Sequence, residues 1–326
     1  MTRRGFLQAS SLLLSTFAFQ ACFSNSELSN VDFKTLKIGY LPITDHLLVI
    51  AKDLKGSDFT PVKFSSWVDL SEALRSKSID GAFILTPLAL KLRSQGLDIK
   101  AILAAHRNGS ALVIKKGVLQ NKEIAQLKEL KIAIPSRFST HYLLLANLLQ
   151  QGGLSAKDVR LIDMPPTEMI FALQSNSIDG FIVAEPFCVQ AQTLAIADVF
   201  ALSYEIINEH ICCVLTFQNA VLSKRGGDVS RLLGDFLATA DFINRNPKEA
   251  SELSLKFLGQ KPELLENLLI QDKRIVYRNL KLQENDLERT LQDLKKYEVD
   301  TLEVEFNDFV DSNFLNAYLG GESDKV

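Results

Sequence analysis

The chain has 326 residues, 47% hydrophobic and 23% charged, with a formal net charge of -3. That length is enough for two lobes with cores of their own, and the absence of any basic block or aromatic–basic interleaving excludes nucleic acid as a partner. Three of the 4 cysteines (Cys188, Cys212 and Cys213) fall in the body of the chain, an odd number that implies no disulfide framework.

The first residues carry an address. Thr2-Arg3-Arg4-Gly5-Phe6-Leu7 is similar to a twin-arginine export signal, and the apolar run at 12–19 is short for a membrane span of about 20 residues. Phe19-Gln20-Ala21-Cys22 resembles a lipobox, with Phe19 in place of the usual leucine, so Cys22 is expected to be lipidated. Residues 1–30 are therefore read as export signal, lipobox and tether, outside the fold.

Residues 36–41 read as a strand, followed by the loop Pro42-Ile43-Thr44-Asp45-His46 and a helical run at 47–54. Residues 131–149 repeat this grammar: an apolar strand, the loop Pro135-Ser136-Arg137-Phe138-Ser139-Thr140-His141, then a Leu-rich helix. Such a loop leaves the carboxyl end of a strand, where ligands bind in open α/β sheets, and the helix behind it aims free N–H groups the same way. Ser139 or Thr140 also reads simply as an N-cap.

The clearest internal repeat matches residues 73–90 with 172–189 without a gap, including both copies of Ser-Ile-Asp-Gly and the prolines Pro87 and Pro186. Each copy ends a helix, turns on Asp-Gly, runs an apolar strand and breaks at proline. Two copies in strand–helix–strand–helix–strand order imply two α/β lobes of like design. The runs 99–105 and 111–114 are strand-like around His106-Arg107-Asn108-Gly109-Ser110, and the second would carry the chain into lobe 2. Residues 211–217 would return it. Lobe 1 is thus expected at 34–113 plus 214–326 and lobe 2 at 114–213. From Gly227 the pattern is helical, a tail expected to pack largely on the first lobe.

Corresponding loops of two such lobes face each other across a cleft, which needs a few aimed polar groups and an apolar or aromatic wall. The first lobe offers Thr44, Asp45, His46, Trp67, Thr86, Arg107 and Asn108. From the second come Ser136, Arg137, Ser139, Thr140, His141, Glu168 and Glu185. No catalytic motif of the nucleophile-elbow, phosphate-loop, dinucleotide or zinc-protease kind occurs. The histidines show no metal-ligand spacing, and Cys212 and Cys213 would point to opposite faces of a strand, so no metal site and no catalytic residue is expected.

The stretches 37–52, 64–90, 105–114, 132–145, 164–187 and 210–215, in this order, resemble an ABC-importer substrate-binding protein of the nitrate/sulfonate/bicarbonate, NMT1/THI5-like family. The resemblance implies the type II periplasmic-binding-protein fold: two α/β lobes joined by two crossover strands, with the ligand cleft between them. It also implies a monomer without a cofactor, tethered outside the membrane by lipid and serving an ABC permease and its ATPase. In the nitrate/bicarbonate branch, Trp67 and Thr140-His141 match binding positions. The ligand stays open between an oxyanion or sulfonate and a nitrogenous heterocycle such as a pyrimidine precursor, with an enzyme acting on such a heterocycle or a tethered sensor as further readings. Arg137→Ala and Trp67→Ala are each expected to weaken binding.

Overall fold

Strand formation follows the apolar runs, numbered along the chain as β1 (Leu36–Tyr40), β2 (Phe59–Lys63), β3 (Gly81–Leu85), β4 (Ile99–Ala104), β5 (Arg107–Asn108), β6 (Ser110–Lys115), β7 (Lys131–Ile134), β8 (Arg160–Asp163), β9 (Gly180–Ala184), β10 (Ala197–Leu202), β11 (Cys213–Gln218) and β12 (Ile275–Val276). The computed structural model describes residues 35–271 and 274–323, so the twin-arginine stretch and Cys22 lie outside the described residues. Among these, two five-stranded sheets form, in the orders β2-β1-β3-β11-β4 and β8-β7-β9-β6-β10. In each, three strands run parallel and the inserted strand, β11 or β6, lies antiparallel beside the third. The fold is the two-lobed periplasmic-binding-protein design.

The Ser-Ile-Asp-Gly repeat has a physical explanation. The Asp80 carboxylate accepts the Lys37 N–H at 2.7 Å and its own N–H donates to the Lys37 carbonyl at 2.9 Å. Asp179 does the same to Lys131, at 2.8 Å both ways. Each aspartate thus ties the start of a lobe's third strand to the start of its first, while Ile79 and Ile178 enter the core. The glycines answer to close approach: a Cβ at Gly81 would lie 2.5 Å from the Thr216 carbonyl oxygen, and one at Gly180 2.6 Å from that of Val113. Both carbonyls belong to the inserted strands.

The chain crosses between the lobes just ahead of each inserted strand. β6 pairs with β9 from Ser110 onward, so the first crossing lies at β5, ahead of the boundary expected at 113. There β5 pairs with β12. The long helix Asn219–Arg245 begins before Gly227, with non-helical backbone at Arg225, and its Phe236 ring packs edge-on against Phe59 and Phe83 at 5.5 and 5.4 Å. Burying each such ring contributes about 1.5–3 kcal/mol. The tail does not stay with the first lobe. Helix Glu284–Lys296 packs on both Thr86–Ser94 and Thr140–Gln151, and its Leu294 is buried among Tyr142, Leu143 and Leu144 of the second lobe. Its apolar stripe is long enough to serve two cores. Among the described residues no helix is long and apolar enough to cross a membrane.

Candidate functional site

After β1 the chain turns into the short 3-10 helix Thr44–Ile50, all of it buried, which sets Asp45 and His46 beneath the second lobe. Thr44 reaches across, its N–H and hydroxyl donating to the Glu185 carbonyl at 2.9 and 3.0 Å. In lobe 2, Ser139 caps helix Thr140–Gln151 by accepting the Tyr142 N–H at 3.1 Å, which presents Thr140 and His141 in the first turn. Ser139→Ala is expected to lower stability by about 1 kcal/mol, read as a drop in melting temperature.

The deepest cluster forms where both crossings pass between these loops. His106, just after β4, places Nε2 3.0 Å from Asp45 Oδ2. Cys213 Sγ lies 3.5 Å from the same oxygen, and the Cys212 and Cys213 sulfurs are 4.0 Å apart. His141 Nε2 lies 3.0 Å from Ser110 Oγ and 3.8 Å from Cys212 Sγ. Asp45, His106, His141, Cys212 and Cys213 are all fully buried. The Cys212 carbonyl is gripped from both lobes: it accepts the Thr86 N–H and hydroxyl at 2.9 and 3.0 Å and the Thr140 hydroxyl at 3.2 Å. Gly109, at φ +90°, leaves room for the His106 ring, which a Cβ there would meet at 2.8 Å.

Electrostatics sharpen the picture. Burial pushes the Asp45 carboxyl up to about 7, reinforced by Cys212 and opposed by His106. For His106 burial works downward, yet the Asp45 charge and hydrogen bond outweigh it and raise the imidazole to about 10. Each group thus favours the charged form of the other across the 3.0 Å that separates them. Burial also opposes ionisation of Cys212, but hydrogen bonding from Cys213 and the nearby His141 and His106 hold its thiol well below the ordinary value. Burial, then Cys212, raises Cys213. His210 is lowered to about 4 by burial, and neither of its nitrogens has a hydrogen-bond partner. Asp45 Oδ1 and His141 Nδ1 are likewise unpartnered. Leaving a buried polar atom unpaired costs roughly 1–3 kcal/mol, so such atoms in one cluster single it out as a candidate site.

The other expected residues divide. His46 Nδ1 lies 2.8 Å from the Leu41 N–H and 3.2 Å from the Leu41 carbonyl oxygen, and its Nε2 is buried and unpartnered. Its ring stacks on Phe83 and meets Trp67 edge-on, centroids 5.6 Å apart. Trp67, capped into its helix by Ser66, has a buried, unpartnered indole N–H and lines a groove of about 390 Å³ whose far wall includes Ser136, Met164 and Pro165 of lobe 2. Asn108 is buried on β5. Arg107 is not aimed at a ligand: it pairs with Asp286 at 3.0 Å and donates to the carbonyls of Glu209, Asn279 and Lys281. Glu185 is buried against Arg274, 2.6 Å away. Glu168 is exposed. Arg137 is exposed too, its guanidinium 5.5 Å from the Tyr142 ring centroid on the flank with Lys157 and Lys296. With the loop's hydroxyls engaged in capping, its long side chain turns outward.

Sequence reasoning missed His106, Ser110, His210, Cys212 and Cys213 as site residues. Strand alternation assigned the two cysteines to opposite faces. β11 begins only at Cys213, however, so Cys212 lies outside the strand and both sulfurs reach one place. The usable signal was positional: His106 and Cys212 sit at the two crossings, which must pass the cleft.

Residues 30–257 match the NMT1-like family. The chain belongs to that family. Among curated relatives it is 30% identical over 215 residues to the nitrate import ATP-binding protein NrtC of a Synechocystis species, covering 58% of this chain and 32% of that one. It is 29% identical over 215 residues to the nitrate/nitrite binding protein NrtA of a Nostoc species, covering 57% of this chain and 49% of that one. The chain therefore spans a third to a half of the length of these relatives. The crystal structure of a ligand-binding component of an ABC-type import system from Staphylococcus aureus, with zinc bound, superposes with a TM-score of 0.80 at 26% identity, covering 87% and 98% of the two chains. The periplasmic nitrate-binding protein NrtA from Synechocystis superposes at 0.81 with 16% identity, covering 88% and 89%, a likeness of fold alone.

Proposed function

We propose that this NMT1-like chain is the ligand-capturing component of an ABC importer, exported, tethered by lipid on Cys22, and handing a small polar molecule from its cleft to a permease and ATPase. The two-lobed fold supports this, as do the import proteins among its relatives and the lipobox-like Phe19-Gln20-Ala21-Cys22. The ligand class turns on one observation: Asp45 lies inside the buried cluster, while Arg107 is engaged by Asp286 and Arg137 is outside. Asp45 is already met by His106 at 3.0 Å, and neither arginine faces it, so an oxyanion entering the cluster would meet a carboxylate with no guanidinium to hold it, which favours a ligand bearing positive charge or N–H donors over nitrate, bicarbonate or a sulfonate. The oxyanion reading keeps separate support in the relatives' names and in the unpartnered indole N–H of Trp67.

A thermal-shift series on the full chain with nitrate, bicarbonate, alkanesulfonates, pyrimidines and metal cations tests this, since a ligand that binds only the folded state raises the melting temperature. His141→Ala is expected to reduce the response to the active compound, and Arg137→Ala to leave it unchanged. A series in which no compound shifts the transition would sink the reading.

A further inference from the structure

We propose that Asp45, His106, Cys212 and Cys213 form a binding site for a thiophilic divalent cation of the Zn²⁺ class, and that such a cation is what the cleft captures. This deepens the reading above and rests on it in one respect: a fully buried site is filled only if the lobes open.

The donor set is one carboxylate oxygen, one imidazole nitrogen and two thiol sulfurs, with all four atoms within 4.8 Å of one another. Bond lengths to zinc near 2.3 Å for sulfur and 2.0–2.1 Å for nitrogen or oxygen give tetrahedral edges of about 3.3–3.8 Å. The separations of 3.0 Å (His106 to Asp45), 3.5 Å (Cys213 to Asp45) and 4.0 Å (Cys212 to Cys213) bracket those edges, and with the remaining pairs within 4.8 Å the donors would draw in by up to about 1 Å to close the shell. Two sulfurs and an imidazole select a zinc-like ion; magnesium and calcium take oxygen shells.

The surroundings are arranged as a ligand shell needs. His106 Nδ1 faces the Arg107 carbonyl at 3.3 Å, which favours the tautomer protonated there and leaves Nε2 to face the cation. Three hydrogen bonds to the Cys212 carbonyl, from Thr86 and Thr140, fix the backbone that carries both thiols. Asp45 Oδ1 has no partner, so the carboxylate is free to turn toward a cation. All four donors come from lobe 1 and the crossings, whereas His141 arrives from lobe 2 and lies 3.8 Å from Cys212 Sγ. A cation would settle on one lobe and be covered by the other.

The test uses the full chain, stripped with a chelator and kept reduced by a phosphine. Titration with Zn²⁺ alone is expected to give one equivalent per chain and a raised melting temperature, and Co²⁺ a thiolate-to-metal charge-transfer band. Cys212→Ser, Cys213→Ser and Asp45→Asn should each weaken Zn²⁺ at least about tenfold. If a variant fails to fold, the wild-type stoichiometry and Co²⁺ spectrum still decide. Absence of stoichiometric Zn²⁺ binding, or binding undiminished in a folded Cys212→Ser/Cys213→Ser double variant, overturns the site. An oxyanion or heterocycle that stabilises the chain while Zn²⁺ does not would overturn the cation and leave the importer reading standing; silence from every compound removes both.

Discussion

Arg274→Ala is expected to lower folding stability by about 3–5 kcal/mol, seen as a large fall in the urea midpoint. Glu185 is completely buried, and Arg274 supplies Nε and Nη2 to its Oε1 at 3.0 and 2.6 Å while the Val189 N–H holds Oε2 at 2.9 Å. Removing the guanidinium leaves a carboxylate in the interior without its counter-charge. The damage would extend further, because Arg274 leads into β12, which pairs with β5 at the first crossing, and the Glu185 carbonyl receives both donors of Thr44 from the opposite lobe. The double variant Glu185→Gln/Arg274→Met should be less destabilised than Arg274→Ala, since it leaves no bare charge. Lys157→Ala, which breaks a pair whose side chains are 85% and 79% exposed, serves as the contrast; exposed pairs contribute about 0–1 kcal/mol. Equal losses at the two sites would refute the argument.

The second large effect is expected at Gly81. An added methyl would lie 2.5 Å from the Thr216 carbonyl oxygen and 2.8 Å from a Phe217 ring atom, both on β11, which is hydrogen-bonded in place between β3 and β4. Nothing at the tip of a flexible side chain can move aside. Gly81→Ala should therefore cost about 1–3 kcal/mol or more, by pushing the Thr216–Phe217 end of β11 away from β3. Gly227→Ala is the control. It lies within helix Asn219–Arg245, and an added methyl there would meet no atom within 4 Å, so it should gain up to about 1 kcal/mol from helix propensity. A Gly81→Ala protein as stable as the parent would show that the strands can separate there.

Much of the architecture was legible because it rests on local signals. Apolar runs marked the strands, Ser139 capped the helix that follows its cleft loop, and the paired Ser-Ile-Asp-Gly turns announced two like lobes. Asp45 and His141 could be named because each follows a strand end. Arg137 misled for the same reason: its place in the loop was readable, but the direction of a long, exposed side chain was not. Arg107 lies at the crossing, yet its partner Asp286 is far along the chain, and no pattern joins them.

The two-lobed design could be read along the chain, since periodicity, turn chemistry and an internal repeat are carried by neighbouring residues. Which groups meet depends on contacts between segments far apart along the chain. Asp45, His106, His141 and the Cys212-Cys213 pair are distant from one another in sequence and are gathered because the chain crosses twice between paired lobes. Once there, burial and mutual charge, rather than residue type, set the protonation of Asp45, His106 and Cys212.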